Sequence, residues 1–199
     1  MTSTRERILD ASSELFRRQG LTGTGVKQIL ARAEAPYGSL YHHFPGGKDQ
    51  LAAETIKRAG AYYGQLVAGK LAEHADIVDA LRAAFLDAGA TLEATDFADA
   101  CPIETVALEV ASTNEQLRLA TAEVFDSWHE AMAAYLTIGG VDPPEARSLA
   151  LTIVAALEGA FVLARATRCT DALEACGDAM ARLAEAARQR ATAAVPQGG

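Results

Sequence analysis

The sequence is poor in cysteine and has no long apolar run, and each shortage excludes a class of protein. Its three cysteines, Cys101, Cys169 and Cys176, form no CxxC pair and have no histidine at ligand spacing. The sequence therefore predicts neither a disulfide framework nor a zinc site, and we expect no metal and no cofactor. The longest apolar stretch, 149–164, contains Glu158 and is shorter than the roughly 20 residues of a bilayer span, so we expect no membrane span.

The first residues also lack the features of a secretory signal. The segment MTSTRERIL leads directly into a charged helical pattern, without an apolar core or a small-residue cleavage site. We therefore expect a cytoplasmic protein.

Residues that favour β-strands are scarce, and long segments rich in Ala, Leu, Glu and Arg lie between the glycines and prolines. These four residue types are good helix formers. With 199 residues, of which 50% are hydrophobic, the chain can bury a core without disulfides or metals. We therefore predict a globular all-α fold.

The net charge of −8 is unevenly distributed along the chain. Residues 1–60 hold nine Lys and Arg against six Asp and Glu, a net charge of +3, and the remainder carries −11. A polyanion such as DNA is therefore attracted to the first part and repelled by the second. The charge distribution favours a nucleic-acid-binding head on an acidic body.

The first 47 residues are predicted to form a tri-helical, helix-turn-helix head. Ser3 and Glu6 have the spacing of a capping box, which predicts a first helix ending at Gln19. Pro36 breaks the chain after a second helix, and residues 45–47 break it again before a long helix. The four helices are expected at 3–19, 26–33, 37–44 and 48–71.

Residues 48–195 are predicted to form a helical-bundle body, followed by a frayed tail at 196–199. Pro102 and Pro143 suit the first turn of a helix, and Asp76 and Asn114 can act as caps. Beyond the long helix, body helices are expected at 77–92, 102–111, 114–136, 143–168 and 170–193.

The segment from Ala35 to Lys48 has an unusual composition for a short helix. It contains tyrosines, histidines, a serine and a lysine, and no acidic side chain. Tyr, Ser and His donate hydrogen bonds to phosphates and base edges, and lysine adds a positive charge. Gly38 would let a backbone amide approach a phosphate closely. This segment therefore predicts a DNA-binding surface.

The sequence YGSLYHHFPGGKDQL, together with RILDASSELF and GLTGTGVKQIL upstream, resembles the TetR family of transcriptional repressors over about residues 5–60. Within this motif the segment FPGGK, residues 44–48, resembles the LmrA/YxaF-like branch of the family, as does the later segment ACPIE, residues 100–104. The resemblance implies that the helix at 37–44 enters the DNA major groove, while the second helix crosses the backbone. The DNA contacts it implies are Thr24, Lys27, Tyr37, Gly38, Ser39, Tyr41, His42, His43 and Lys48.

Some of these residues also suit ordinary structural roles. Tyr41 is either a core residue or a ring that packs while its hydroxyl reaches DNA. Lys27 is either a DNA contact or a solvated charge, and the two histidines are either DNA contacts or ordinary surface or interhelical residues. The family often has lysine where this chain has Tyr37, which weakens the phosphate or guanine contact expected there.

The resemblance also implies that the body binds a small apolar or aromatic effector. Scattered aromatic residues are more often core than pocket, and pockets usually combine apolar walls with a few polar groups. The candidate ligand residues are Phe85, Phe97, Cys101, Glu104, Phe125, Trp128, His129, Tyr135, Glu158 and Phe161.

A homodimer is predicted through the last two helices. The helix at 143–168 is apolar on two faces, so one face can pack within the subunit and the other against a partner. The alternative is that both faces are core. The residues predicted to form the dimer interface are Leu149, Ile153, Ala156, Ala160, Leu163, Leu173, Cys176, Met180, Leu183 and Ala187.

The sequence thus predicts a repressor that a small-molecule effector releases from a palindromic operator. An enzyme is the first alternative, because the chain contains pairs of polar side chains that could serve catalysis. No Gly-rich phosphate loop, nucleophile elbow or metal-ligand spacing accompanies these pairs. A DNA-binding protein without a ligand is the second alternative, and it would not need the acidic body.

Overall fold

The computed structural model describes residues 2–99 and 101–193, which form nine α-helices and no strand. The predicted tail at 196–199 lies outside the described residues. The helices are α1 (Thr4–Gln19), α2 (Val26–Arg32), α3 (Ser39–His43), α4 (Gly47–Ala72), α5 (Ile77–Ala94), α6 (Pro102–Val110), α7 (Glu115–Ile138), α8 (Pro143–Thr167) and α9 (Asp171–Ala193). The all-α prediction is confirmed.

Local sequence signals determine most of the helix starts. The predicted capping box is present, since the Ser3 hydroxyl accepts from the Glu6 amide at 3.2 Å and the Glu6 carboxylate accepts from the Ser3 amide at 2.8 Å. Asp76 caps α5 by accepting from the Val78 amide at 2.8 Å. Helix α3 is shorter than the predicted 37–44, because Gly38 is its N-cap.

The described residues divide into two compact units. The head unit contains residues 2–63, 98–99 and 101–125, and the body unit contains residues 64–97 and 126–193. Helices α4 and α7 contribute residues to both units. The units therefore differ from the predicted division at residue 47, because α6 and the first half of α7 pack with the first helices.

The head unit is built around α1. Helices α2, α3 and α6 all contact α1, and its core includes the buried side chains of Ile8, Phe16 and Ile29. Gly60 lets α4 and α7 approach closely, because a Cβ atom there would lie 2.4 Å from Val124 Cγ1. These contacts form the platform that carries α2 and α3.

The body unit is built around the packing of α9 against α5 and α8. Phe85 is buried in its core, and a Cβ atom at Gly177 would lie 2.8 Å from Phe85 Cβ. Among the described helices, α8 is long and apolar enough to cross a bilayer by length and composition. Of the 18-residue apolar segment within it, 28% is buried inside the protein. Its length of 25 residues exceeds the apolar stretch on which the prediction of no membrane span rested.

Candidate nucleic-acid interface

The turn between α2 and α3 is fixed by an arginine from α1. Arg7 donates from Nε to the Ala33 carbonyl at 3.0 Å and from a terminal nitrogen to the Glu34 carbonyl at 3.4 Å. A five-residue helix such as α3 is unstable alone, so its position depends on such contacts and on burial of Leu40 and Phe44. The inward face of α3 is thereby fixed, and its outward face is left open.

The outward face of α3 and the two residues before it, Tyr37 and Gly38, carry most of the predicted DNA contacts. Tyr37 and Tyr41 are 60% and 59% exposed. His42 is exposed, and Ser39 and His43 are half-buried. The two imidazole rings meet edge-on, with centroids 4.7 Å apart. Because hydroxyl and imidazole groups that can donate hydrogen bonds to phosphates and base edges lie together here, the face is a candidate surface for binding DNA.

Tyr41 lies at the surface of the head unit and is not a core residue, but one edge of its ring is packed. Its Cε1 atom would lie 3.7 Å from a Cβ atom built on Gly47, so one edge of the ring packs beside the turn before α4. More than half of the side chain nevertheless remains exposed. Tyr41 can thus pack and present its hydroxyl at the same time.

The space around Gly38 is empty within the chain. A Cβ atom built there meets no atom within 4 Å. The backbone angles φ −65° and ψ −16° are open to any L-residue. Nothing in the subunit therefore requires glycine at this position, and a close approach by an external partner is a physical reason for it.

Two neighbouring side chains on α2 also face solvent. Lys27 is exposed, as predicted for a contact or a solvated charge. Gln28 is exposed as well, and its Oε1 accepts from Gln19 Nε2 at 2.8 Å. The sequence reasoning missed Gln28, although its position beside Lys27 on a short helix could have suggested it.

The structure contradicts the predicted DNA contact of Thr24. Its side chain is fully buried. The hydroxyl donates to the Gly20 carbonyl at 2.5 Å and accepts from Gln19 Nε2 at 3.2 Å. Thr24 therefore stabilises the turn between α1 and α2 and has no surface to offer to DNA.

Lys48 has a partner inside the head unit. It is half-buried, and its Nζ donates to the Leu21 carbonyl at 2.7 Å. An ammonium group has three N–H bonds, so two remain for other acceptors. The predicted phosphate contact thus competes with a structural role that sequence spacing could not show.

Two supporting residues of the head, Arg7 and Glu109, had no signal in the sequence. Arg7 reaches carbonyls 26 and 27 positions away, and Glu109 contacts a backbone amide 88 positions away. Contacts of this range leave no local pattern. Only the folded chain reveals them.

The candidate ligand residues lie in both units. Cys101, Glu104 and Phe125 belong to the head unit. In the body unit Phe85 is only 2% exposed and fills the core, whereas Phe97, Tyr135 and Phe161 are partly buried against that core. Trp128, His129 and Glu158 are also partly buried members of the body unit.

Neither of the two cavities described gathers these candidates. A groove of about 360 Å³ in the head unit is lined by residues of α1 and α4, including Arg17, Arg58 and Tyr62. A cavity of about 150 Å³ in the body unit lies between α5 and the start of α9, and Phe85 is the one candidate on its wall. The ligand site therefore remains a prediction.

The predicted dimer residues lie mainly on the inward sides of α8 and α9. Six of the ten are buried in the core of their own body unit, and two more, Ala156 and Cys176, are half-buried. The remaining two, Leu163 and Leu183, are 56% and 44% exposed. The six buried residues are Leu149, Ile153, Ala160, Leu173, Met180 and Ala187. Their assignment to an exposed seam is therefore wrong, because the chain's own helices cover them.

The opposite face of α8 is apolar and exposed instead. We call it the α8 stripe, and its leucines and valine are 46–57% exposed. A Cβ atom on its central glycine meets nothing within 4 Å. The stripe consists of Leu151, Ala155, Gly159, Val162, Leu163 and Ala166.

Comparison with known proteins gives two family matches. Residues 8–55 match the family described as bacterial regulatory proteins, tetR family. Residues 77–179 match the C-terminal domain described as transcriptional regulator LmrA/YxaF-like. Together the matches include α2, α3, α5 and α6, so they cover the candidate interface and most of the helical body.

Individual relatives agree with these matches. The chain is 35% identical to the HTH-type transcriptional regulator YxaF of Bacillus subtilis, over 80% of this chain and 83% of that protein. It is 33% identical to the HTH-type transcriptional regulator LmrA of the same organism, over 80% and 85%. A crystal structure of a TetR transcriptional regulator from Chloroflexus aurantiacus, 34% identical, has a TM-score of 0.75 over 90% of this chain and 92% of that one.

Proposed function

Because the chain belongs to the TetR family of bacterial transcriptional regulators, and to its LmrA/YxaF-like branch, we propose that it is a dimeric repressor released from operator DNA by a small molecule. The family consists of DNA-binding regulators and not of enzymes. The observation that carries the proposal is the open surface formed by α3 and the residues just before it, where Tyr37 and Tyr41 are largely exposed and the space around Gly38 is empty.

The proposed binding mode places α3 in the major groove of double-stranded DNA. The hydroxyls of Tyr37 and Tyr41 and the ring nitrogens of the two histidines can donate to base edges or phosphates. In a helix-turn-helix domain the preceding helix crosses the sugar-phosphate backbone. Lys27 and Gln28 on α2 are exposed and suit that role.

Members of the family act as dimers, and we propose that the α8 stripe forms the seam of this one. Its alanines and glycine would let a second helix approach closely, and its larger side chains would be buried. Leu183 on α9, 44% exposed, would extend the apolar surface. The stripe replaces the buried residues first predicted for the seam.

The body unit is the proposed effector site. Its partly buried aromatic side chains, Phe97, Tyr135 and Phe161, pack on an apolar core and would favour a small apolar or aromatic compound. Regulators of this family are soluble. We place the protein in the cytoplasm, where both DNA and metabolites are accessible.

The proposal is tested with a duplex that the full-length protein itself selects from a random-sequence pool. We expect a near-palindrome, because two identical heads read two half-sites. A compound that stabilises the protein in a thermal-shift screen of apolar and aromatic molecules should then weaken duplex binding by about 5- to 150-fold, the usual range of allosteric coupling. Fluorescence anisotropy with the selected duplex measures this change.

Two results would contradict the proposal. Selection of duplexes without any shared sequence would indicate a DNA-binding protein of low specificity. Compounds that stabilise the protein but never change its duplex affinity would show that it binds DNA without sensing a ligand.

A matched pair of lysine variants distinguishes a lysine that stabilises the head unit from one that contacts DNA phosphates. Lys48→Met should lower the free energy of unfolding by about 1 kcal/mol, because the Leu21 carbonyl loses its charged donor. Lys27→Met should leave stability unchanged and reduce the salt dependence of duplex binding by about one unit, since an exposed lysine acts through phosphate. Urea unfolding and salt titration of both variants measure the two effects. A full-unit change in the slope for Lys48→Met, with unchanged stability, would restore the phosphate role first predicted for Lys48.

A further inference from the structure

The turn between α1 and α2 is held by a carboxylate from a distant helix. Glu109, near the end of α6, accepts from the Leu21 amide at 3.2 Å through Oε1 and from the Thr22 amide at 2.6 Å through Oε2. Hydrogen bonds in which the acceptor is ionised are stronger than neutral ones. One side chain thus binds two successive backbone amides of the helix-turn-helix domain.

Gly20 makes this contact possible. A Cβ atom at this position would lie 1.8 Å from Glu109 Oε1, so any side chain would displace the carboxylate. The backbone of Gly20 also has φ 73°, in the left-handed region that favours glycine. The close approach of α6 and the turn therefore depends on both residues.

Lys48 binds the same turn with the opposite charge. Its ammonium donates to the carbonyl of Leu21, while the amide of Leu21 donates to Glu109. The two peptide groups flanking Leu21 are thus held between a carboxylate from α6 and an ammonium from the first turn of α4. Helix α2 begins a few residues after this turn, and α3 ends shortly before Lys48. The turn therefore fixes the chain at both ends of the segment that carries the DNA-binding face.

We propose that Glu109 is a positioning residue for DNA binding. A carboxylate is repelled by phosphates, and both oxygens of this one already accept backbone amides. Its effect on DNA therefore acts through the turn, which sets where α2 begins and how the outward faces of α2 and α3 are presented. This role rests on the proposed function only in that it requires binding of a DNA duplex.

The test compares Glu109→Ala and Glu109→Gln in the full-length protein. Alanine removes both acceptors, and glutamine retains one. We expect affinity for the selected duplex to fall about tenfold or more in Glu109→Ala and about threefold in Glu109→Gln, because each lost bond lets the turn relax. Amide hydrogen exchange at Leu21 and Thr22, measured by NMR without DNA, should accelerate in the same order.

Glu115→Gln is the matched control. Glu115 is an exposed carboxylate of the head unit that pairs with Arg118 at 2.7 Å, away from the turn. The Glu115→Gln variant should keep the duplex affinity of the parent protein and its amide exchange rates at Leu21 and Thr22. If Glu109→Ala does not fold, the test compares Glu109→Gln with the parent protein instead.

Three outcomes overturn the positioning role. The first is parental duplex affinity in a folded Glu109→Ala protein, or in Glu109→Gln where the alanine variant does not fold. The second is unchanged exchange at both amides in the variant tested, and the third is an equal loss of affinity in Glu115→Gln. Failure of the parent protein to select any duplex would overturn the proposed function instead. The exchange measurement still reports on Glu109 in that case, so the two failures are distinguishable.

Discussion

A single arginine on the α8 stripe should abolish tight operator binding while leaving each subunit helical. Gly159→Arg places a charge where the structure has only open space, so the subunit itself has no clash to relieve. In a dimer the same charge would be buried between two apolar helices without a partner, which is strongly unfavourable. Binding through one head alone loses the gain of two linked half-sites, and we expect the affinity to fall roughly a thousandfold.

Sedimentation velocity and duplex titration of the same samples measure this effect. Ile138→Arg is the matched control, because Ile138 is 88% exposed in the body unit and lies outside the stripe. Ala160→Arg should behave differently from Gly159→Arg, since Ala160 is 1% exposed and the arginine would disrupt the body core. A dimeric Gly159→Arg protein with full duplex affinity would show that the seam lies elsewhere.

An aspartate at Gly38 should weaken duplex binding by about a hundredfold or more without destabilising the protein. The side chain enters empty space at permitted backbone angles, so we expect the free energy of unfolding to change by less than about 0.5 kcal/mol. At the proposed interface the carboxylate would face phosphates, and like charges in contact cost several kcal/mol.

Gly69→Asp is the control for this variant. A Cβ atom on Gly69 also meets nothing within 4 Å, and this glycine lies in the body unit. Thermal unfolding and anisotropy titrations compare the two aspartates. Equal affinities of both variants for the selected duplex would exclude Gly38 from the interface.

The helices could be predicted from the sequence because their signals are local. Ser3 and Glu6 form their capping box within one turn, and Asp76 caps the helix that starts beside it. Proline and glycine mark the breaks around α3 in the same way. Such signals require only a few neighbouring residues, so the unfolded sequence already contains them.

The direction in which a face points could not be predicted in the same way. Helix α8 is apolar on both faces, so its periodicity does not distinguish the side that packs on α5 and α9 from the side left open. The predicted seam therefore includes Ile153 and Ala160, which the structure buries, and leaves out Leu151 and Val162, which it exposes. The burial of a face depends on the other helices.

The same limit applies to the polar residues of the head. The motif containing Lys48 predicts a DNA-binding head, but it does not show that the ammonium reaches Leu21. Thr24 likewise has a hydroxyl that suits a phosphate, yet its acceptor is the Gly20 carbonyl four residues earlier. For both residues the partner is decided by the course of a turn, which sequence spacing leaves open.

The composition of the α8 stripe, the proposed dimer seam, also bears on which subunits can pair. A surface of alanine, glycine, leucine and valine carries no charge and little distinctive shape, so it offers few contacts that a related chain would fail to make. Discrimination against mixed dimers must then come from groups around the stripe, such as the exposed Arg147 near the start of α8. In a cell that makes several regulators of this family, we expect those flanking charges to keep each chain paired with its own copy, and so bound at its own operator.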